Sequence, residues 1–517
     1  MNKSKYYLVV LRRLVQTLFV LLLICIVWAT KYPLKDYINP EYYFYIDPLV
    51  MIVSSVAGKV LIYGLVFSIF VLILSFLLGR VFCGWVCPLG AISDLWVFLI
   101  RTVLKLRTRN SEPSKIRNFK YGLLIVIFMF AILGLQIAWI FDPITIFVRT
   151  FVFNIHPAIN NTVDKMFIFM LQKTNYFEPV ETIYSALKNN VLCVSQPVFR
   201  NTTFVAIIFV LILSSGLIKK RFWCRYICPL GALLSIPAKF TIFRRVVYSC
   251  KDGCSLCKNI CRMNAIRSDN SYLTDECILC LDCISFCPQQ NTIFKFTGLI
   301  KHNDSKQVNE PDTAVKNTDT ENTGITRAQF LLYVVGSISL FVGFKNKKNI
   351  YKRVVIRPPG SLPEQEFVQR CIRCGNCMKV CPTNVLQPAL FETGLQGLWT
   401  PRFDTEIGYC EYKCNLCGEV CPTAAIEKLT VEEKMQTRTG VAEINTEICI
   451  PWTTGEQCIV CEEHCPVSGK AIKTIEKINK KGKLVKLPYV DDTLCVGCAL
   501  CEHKCPTRPY RAIKVKP

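Results

Sequence analysis

Histidine is scarce in this chain. The 517 residues hold only His156, His302, His464 and His503, and none lies in an apolar run of membrane length, which argues against a bis-histidine haem in a bilayer and a cytochrome b-type mechanism. Acids are also few, 38 against 62 Lys and Arg, for a formal net charge of +24. The excess does not imply a nucleic-acid partner, because each oxidised cubane cluster held by four thiolates would return roughly two negative charges. The first apolar run ends in Trp28-Ala29-Thr30-Lys31 and lacks the small-x-small exit of a cleavable signal, so it reads as a retained anchor. With 51% apolar and only 19% charged residues, the chain is not disordered and can bury more than one core.

Cysteine, by contrast, is abundant. There are 30, nearly all in short clusters rather than scattered as in a secreted disulfide framework, so they read as metal ligands. Four long apolar runs, at about 14–30, 60–79, 121–141 and 203–218, each approach the ~20 residues that cross a hydrocarbon core and are expected to be transmembrane helices. Segments 1–13, 101–120 and 219–245 are rich in Lys and Arg, whereas 31–48 and 142–202 are nearly balanced. The positive-inside rule then puts the N-terminus in the cytoplasm. Tyr42, Tyr43 and Tyr45 read as an aromatic belt.

This part contains a repeat: a helix, an Asp-Pro start (Asp47-Pro48, Asp142-Pro143), another helix, then C-x3-C-P-L-G-A (Cys83 to Ala91, Cys224 to Ala232). The repeat places Cys83, Cys87, Cys224 and Cys228 at one depth, where they could form an intramembrane iron-sulfur centre, a redox-active dithiol or a structural turn. Arg80, Arg221 and Arg225 could stabilise thiolates there, or simply mark the membrane edge. The two aspartates read first as helix N-caps with proline at N1. The functional alternative is a quinol pocket at the outer face, where Asp47 and Asp142 accept protons with Arg149 or His156. An outer-face histidine is more often a surface residue. Cys25 and Cys193 belong to no motif and behave as small apolar residues.

Three segments match C-x2-C-x2-C-x3-C-P: Cys277, Cys280, Cys283, Cys287; Cys371, Cys374, Cys377, Cys381; and Cys495, Cys498, Cys501, Cys505. In this pattern a turn presents three thiolates to one cluster and the fourth, before proline, reaches a second, so motifs work in pairs. The partners are Cys250, Cys254, Cys257, Cys261; Cys410, Cys414, Cys417, Cys421; and Cys449, Cys458, Cys461, Cys465. Six motifs predict six [4Fe-4S] clusters on these 24 cysteines. Cross-ligation in 246–298 would join Cys250, Cys254 and Cys257 to Cys287, and Cys277, Cys280 and Cys283 to Cys261. In the C-terminal region, pairing first to fourth and second to third is as consistent with the spacing as pairing neighbours. Zinc is disfavoured, since zinc knuckles close a site with two pairs across a longer loop. His464 and His503 lie between cluster ligands and read as solvated side chains.

The predicted organisation is a membrane domain (1–245), a cytoplasmic two-cluster ferredoxin module (246–300), a polar linker (301–325), a fifth transmembrane helix (326–345) and a four-cluster ferredoxin-type domain (346–517). The fold class is thus an α-helical polytopic membrane domain with α+β bacterial ferredoxin-type domains.

On these motifs, residues 1–300 resemble the NapH-type membrane subunit, a family also similar to NosR and CcoG proteins. Residues 326–517 resemble its NapG-type partner. The resemblance implies a fused iron-sulfur quinol dehydrogenase of a bacterial inner membrane, multi-pass, that passes electrons from quinol to a periplasmic cytochrome c or a nitrate-reductase-type terminal reductase. NosR's flavin domain has no counterpart here. NapG-type subunits leave the cytoplasm on a twin-arginine signal, and Thr326-Arg327-Ala328-Gln329-Phe330-Leu331 keeps one arginine of it, with Ala328 in place of the second. The resemblance implies a periplasmic C-terminal domain, whereas Lys345, Lys347, Lys348, Lys352 and Arg353 after the fifth run favour the cytoplasm. Two alternatives are ferredoxin-linked electron transfer to the quinone pool and a CcoG-like redox maturation factor for a metalloenzyme.

Overall fold

The structure is a computed structural model. It describes residues 3–34, 40–105, 115–173, 177–193, 195–248, 250, 254–267, 270–297, 325–345, 355–478 and 484–517. The linker 301–324, His302 and the basic residues Lys347, Lys348, Lys352 and Arg353 lie outside the described residues. The chain divides into two compact units: Met1–Cys25, Tyr42–Phe147 and Ala206–Lys345 in the first, and Ile26–Glu41, Val148–Val205 and Asn346–Pro517 in the second.

In the first unit the repeat is visible element by element. Asp47 caps the helix Pro48–Gly58, its Oδ1 accepting the N–H groups of Leu49 and Val50 at 3.1 and 3.3 Å, with Pro48 at N1. Asp142 does the same for Pro143–Thr150, accepting the Thr145 N–H at 2.7 Å. Helix Leu65–Leu78 then leads through Gly79 to the turn Val81–Trp85 and the helix Pro88–Leu104. Helix Thr203–Ile218 leads likewise to Phe222–Tyr226 and Pro229–Ala238. Cys87 and Cys228 precede their helices in nearly one conformation, φ −62°, ψ 119° and φ −60°, ψ 111°.

Among the described residues one helix, over Tyr7–Ala29, is long and apolar enough to cross a membrane. The other apolar helices are shorter. Leu65–Leu78 has 14 residues, roughly 21 Å at the usual rise. The run at 121–141 is not one helix either: Phe119–Ile132 ends at Leu133, and Gly134, at φ 83°, turns the chain towards Asp142. Hydropathy alone could not show this break, because the residues on both sides are apolar. The helix Arg327–Lys345 packs on Phe119–Ile132, with the Tyr333 ring filling the space beside Gly122. Strands Phe243–Val247 and Thr292–Phe296 pair antiparallel, Val247 opposite Thr292, and close a ferredoxin-type module around its two cysteine motifs.

The second unit carries ferredoxin-type structure built on short strand pairs: Leu386–Pro388 with Pro401–Phe403, Val441–Ile444 with Ile513–Lys516, and Ile472–Ile478 with Leu484–Val490. Helix His156–Lys173 and helix Glu178–Asn190 belong to this unit.

Candidate redox centres

Each ferredoxin-type region gathers thiols in fours. One pocket is lined by Cys261, Cys277, Cys280 and Cys283, another by Cys371, Cys374, Cys377 and Cys421. Two more hold Cys465 with Cys495, Cys498 and Cys501, and Cys449, Cys458 and Cys461 with Cys505. The thiols of Cys410, Cys414 and Cys417 face Cys381, and Cys250 faces Cys254, Cys257 and Cys287. In the C-terminal region the cross-paired motifs are therefore neighbours, first with second and third with fourth. Among the described residues no three His, Cys, Asp or Glu side chains close on a single-ion position. Four thiols around one cavity are the donor set that an iron-sulfur cluster takes.

A seventh group lies in the first unit, where Cys228 faces Cys224, Cys83 and Cys87. The arginines cross between repeat halves. Arg80 Nη2 lies beside Gly231 of the second half and 4.0 Å from Cys83 Sγ, while Arg221 Nη1 donates to the Cys83 carbonyl at 3.1 Å and its Nη2 reaches Gly90 of the first half. Both continue into the two-cluster module. Arg80 pairs with buried Glu276, the residue before Cys277, at 2.9 Å; Lys120 pairs with the same carboxylate. Arg221 pairs with Asp94, which pairs with Arg262, which pairs with Asp282. Gly84, between the first two cysteines, packs on the Ile278 carbonyl, and Trp85 Nε1 donates to Leu279 O at 3.0 Å. From the other half, Arg225 donates to Arg262 O at 2.9 Å. Both halves of the repeat thus press on loops of one thiol pocket, that of Cys261, Cys277, Cys280 and Cys283.

Of the four quinol candidates, the structure brings together Asp47 and Asp142. Both are fully buried, and their carboxyls lie close enough to act on each other directly. Asp47 Oδ2 and Asp142 Oδ1 meet no N–H or O–H donor among the described residues, so two carboxyls held together out of water favour a proton on one of them. Two helix N-termini point at this pair and favour the negative charge left on the other. Tyr43 stands within electrostatic range of Cys87, Asp47 and Asp142.

Arg149 and His156 belong to the other unit. Arg149 stacks 4.5 Å over the Trp399 ring. His156 follows the π-turn Phe151–Ile155 and is fully buried, its Nε2 3.7 Å from Cys193 Sγ and its ring edge-on to Trp28 at 4.8 Å. Burial, with the ammonium groups of Lys379 and Lys31 nearby, holds its imidazole far below the usual range, at about 2. The π-turn packs on Gly375, between Cys374 and Cys377, where φ is 89° and a Cβ would meet Phe153.

Comparison with known proteins points to iron-sulfur binding. Residues 60–107 and 201–247 match one family described as a 4Fe-4S binding domain, and residues 368–387 match a second with the same description. The ferredoxin-type protein NapG of Escherichia coli is 32% identical over 201 residues, 37% of this chain and 85% of NapG. The methylamine utilization ferredoxin-type protein MauM of Paracoccus denitrificans is 35% identical over 31% of this chain and 71% of MauM, and that of Methylophilus methylotrophus is 35% identical over 29% of this chain and 66% of its own length. The chain belongs to the ferredoxin-type 4Fe-4S proteins related to MauM and NapG. It is an iron-sulfur electron-transfer protein. No solved structure matches it.

Within this family frame several side chains differ from their sequence expectations. His156 is buried, not at the surface, because the π-turn tucks it under Trp28. Tyr42 is exposed as a belt residue would be, but Tyr43 and Tyr45 are buried, since Glu41–Tyr45 is a helical turn packed into the unit's interior. His464 and His503 are half-buried and engage backbone, Nδ1 of each lying 2.9 and 3.0 Å from the carbonyls of Val460 and Thr405. The twin-arginine-like segment is a helix cap: Gln329 N–H donates to Thr326 Oγ1 and Thr326 N–H to Gln329 Oε1, each at 3.2 Å.

Proposed function

We propose that the chain is a multi-pass protein of the bacterial cytoplasmic membrane that oxidises quinol and passes the electrons to a periplasmic cytochrome c or terminal reductase. Six [4Fe-4S] clusters on the 24 cysteines form the wire, and Cys83, Cys87, Cys224 and Cys228 hold a further iron-sulfur centre between the quinol site and the two-cluster module. In this reading the first 300 residues are NapH-like.

The observation that carries the reading is the Asp47–Asp142 pair. Oxidising a quinol frees two protons and two electrons, so the site needs a buried proton acceptor beside an electron acceptor. The unprotonated carboxylate of the pair takes the two quinol protons one after the other, releasing the first to the outer face before the second arrives, and the two helix N-termini stabilise its charge in between. Iron-sulfur groups supply one-electron acceptance when bound. The topology is supported by the grouping of loops. The nearly balanced segments 26–41 and 148–205 share a unit with the four-cluster region, whereas basic Arg117 and Lys220 bind backbone carbonyls of the two-cluster module.

The test is quinol-driven reduction of the clusters in membranes carrying Asp47→Asn or Asp142→Asn. The expected result is a fall of about 10²-fold or more with unchanged dithionite-reduced EPR spectra. Reduction at the wild-type rate would remove the pair from the reaction.

A further inference from the structure

The two thiol pockets of the 246–298 module differ in access. The inner one, of Cys261, Cys277, Cys280 and Cys283, is covered from both repeat halves by Gly84, Trp85 and Arg225, and Arg117 donates to the carbonyls of Met263 and Asn264 beside it at 3.3 and 3.2 Å. The outer one, of Cys250, Cys254, Cys257 and Cys287, is edged by exposed apolar side chains that neighbour its own ligands in sequence. Leu256 precedes Cys257 and is 46% exposed, Phe286 precedes Cys287 and is 43% exposed, and Tyr248 lies two residues before Cys250 and is 54% exposed.

The charge around this edge has one prevailing sign. Among the described residues of 248–260 and 286–297 the charged side chains are Lys258 and Lys295, with no acid. Lys258 lies on the helix Leu256–Ile260 that bears Cys257, Lys295 extends over the Tyr248 ring at 5.9 Å, and Lys220 approaches the same helix, donating to Asn259 O at 3.1 Å. An apolar centre with a basic rim over a redox pocket suits a transient encounter with an acidic partner, steered by charge and released quickly.

We propose that this edge is a docking port at which a small, acidic, soluble ferredoxin-type protein exchanges single electrons with the outer cluster of the module. The inference rests on the iron-sulfur reading of these cysteines and goes beyond quinol oxidation: it gives the chain a second redox terminus. With clusters bound, the electron given up by the reduced carrier would be accepted at the site held by Cys250, Cys254, Cys257 and Cys287 and would pass on to that held by Cys261, Cys277, Cys280 and Cys283, with no proton or bond transferred. Among the described residues the loops of the inner pocket take contacts from residues inside the C-x3-C turns of both repeat halves, Gly84 and Trp85 on Ile278 and Leu279 and Arg225 on Arg262.

The experiment uses the full-length protein in lipid nanodiscs and stopped-flow spectroscopy, with a prereduced small acidic ferredoxin as donor and, separately, methyl viologen, which needs no docking surface. The variants are Lys258→Glu with Lys295→Glu, and the milder Lys258→Gln with Lys295→Gln. The expected result is a second-order rate with ferredoxin that falls about tenfold or more for the charge reversal and less for the neutral pair. It should also fall with added salt in the wild type, with methyl viologen rates and EPR spectra unchanged in every variant. A ferredoxin rate unaffected by both pairs of substitutions, or a wild-type rate insensitive to salt, would overturn the port. Quinol-driven reduction is measured in the same samples. Its loss in the wild type would sink the quinol reading without touching the port, and its survival in a variant that has lost ferredoxin exchange separates the two.

Discussion

Gly84 packs so closely on the backbone carbonyl of Ile278 that a Cβ at residue 84 could not be accommodated. The contact joins the first C-x3-C turn to the loop between Cys277 and Cys280. Because the obstacle is backbone, it cannot swing aside. Gly84→Ala is expected to cost about 1–3 kcal/mol by overpacking and to slow electron passage into the module. The crowding at Gly231, the counterpart of Gly90, involves Arg80 Nη2, the end of a flexible side chain, at 2.6 Å, so Gly231→Ala should cost less. Thermal unfolding in detergent and quinol-driven reduction of the module, measured for both variants, would reverse this order if the Gly84 contact were incidental.

Glu276 neutralises Arg80 and Lys120, which are both fully buried. Glu276→Ala leaves these cations without their carboxylate, a change that typically costs about 3–5 kcal/mol. Chemical denaturation should show the loss. A Glu276→Ala protein as stable as wild type would mean that the cluster of charges is solvated and that the module is not clamped through it.

The neighbour pairing of the C-terminal motifs makes a prediction that cluster counting alone would not. Cys421→Ser should perturb the same cluster as Cys371→Ser, and Cys381→Ser the same one as Cys417→Ser. EPR spectra of the single and double variants check this. Under the alternative pairing of first with fourth motif, Cys371→Ser and Cys421→Ser would instead alter two different clusters.

The ligands themselves were legible in the sequence because C-x2-C-x2-C-x3-C is local geometry: three thiolates on one turn and a fourth beyond it. Which motif supplies the fourth ligand depends on how strands such as Val441–Ile444 and Ile513–Lys516 pair, which spacing does not encode. The Asp-Pro dipeptides announced two helix starts, and both helices form. That the two caps meet could not be read, since their juxtaposition arises from packing across the repeat. Thr326-x-x-Gln329 fits both a degraded export signal and a capping box, and only the hydrogen bonds show which geometry the backbone adopts. The burial of His156 has a similar cause. A π-turn, which has no composition signature, rotates it inward.

That burial has a measurable consequence. In the folded chain the His156 imidazole binds a proton only near pH 2, whereas in the unfolded chain it does so near 6.5. Below about pH 6.5 the unfolded state therefore binds more protons, and stability falls as pH is lowered, by up to about 1.4 kcal/mol per unit from this group. His156→Gln removes this contribution. Cys193, Lys31, Lys379, Asp164 and Lys188 face the same region and are the same in both proteins, so the difference between wild type and variant isolates the histidine. Between pH 6.5 and 5 the wild type should lose about 1.6 kcal/mol more than the variant in denaturant titrations of the full-length protein. Equal losses would mean that the imidazole gains a proton in the folded state, and with it a partner for Nδ1 that the described residues do not supply.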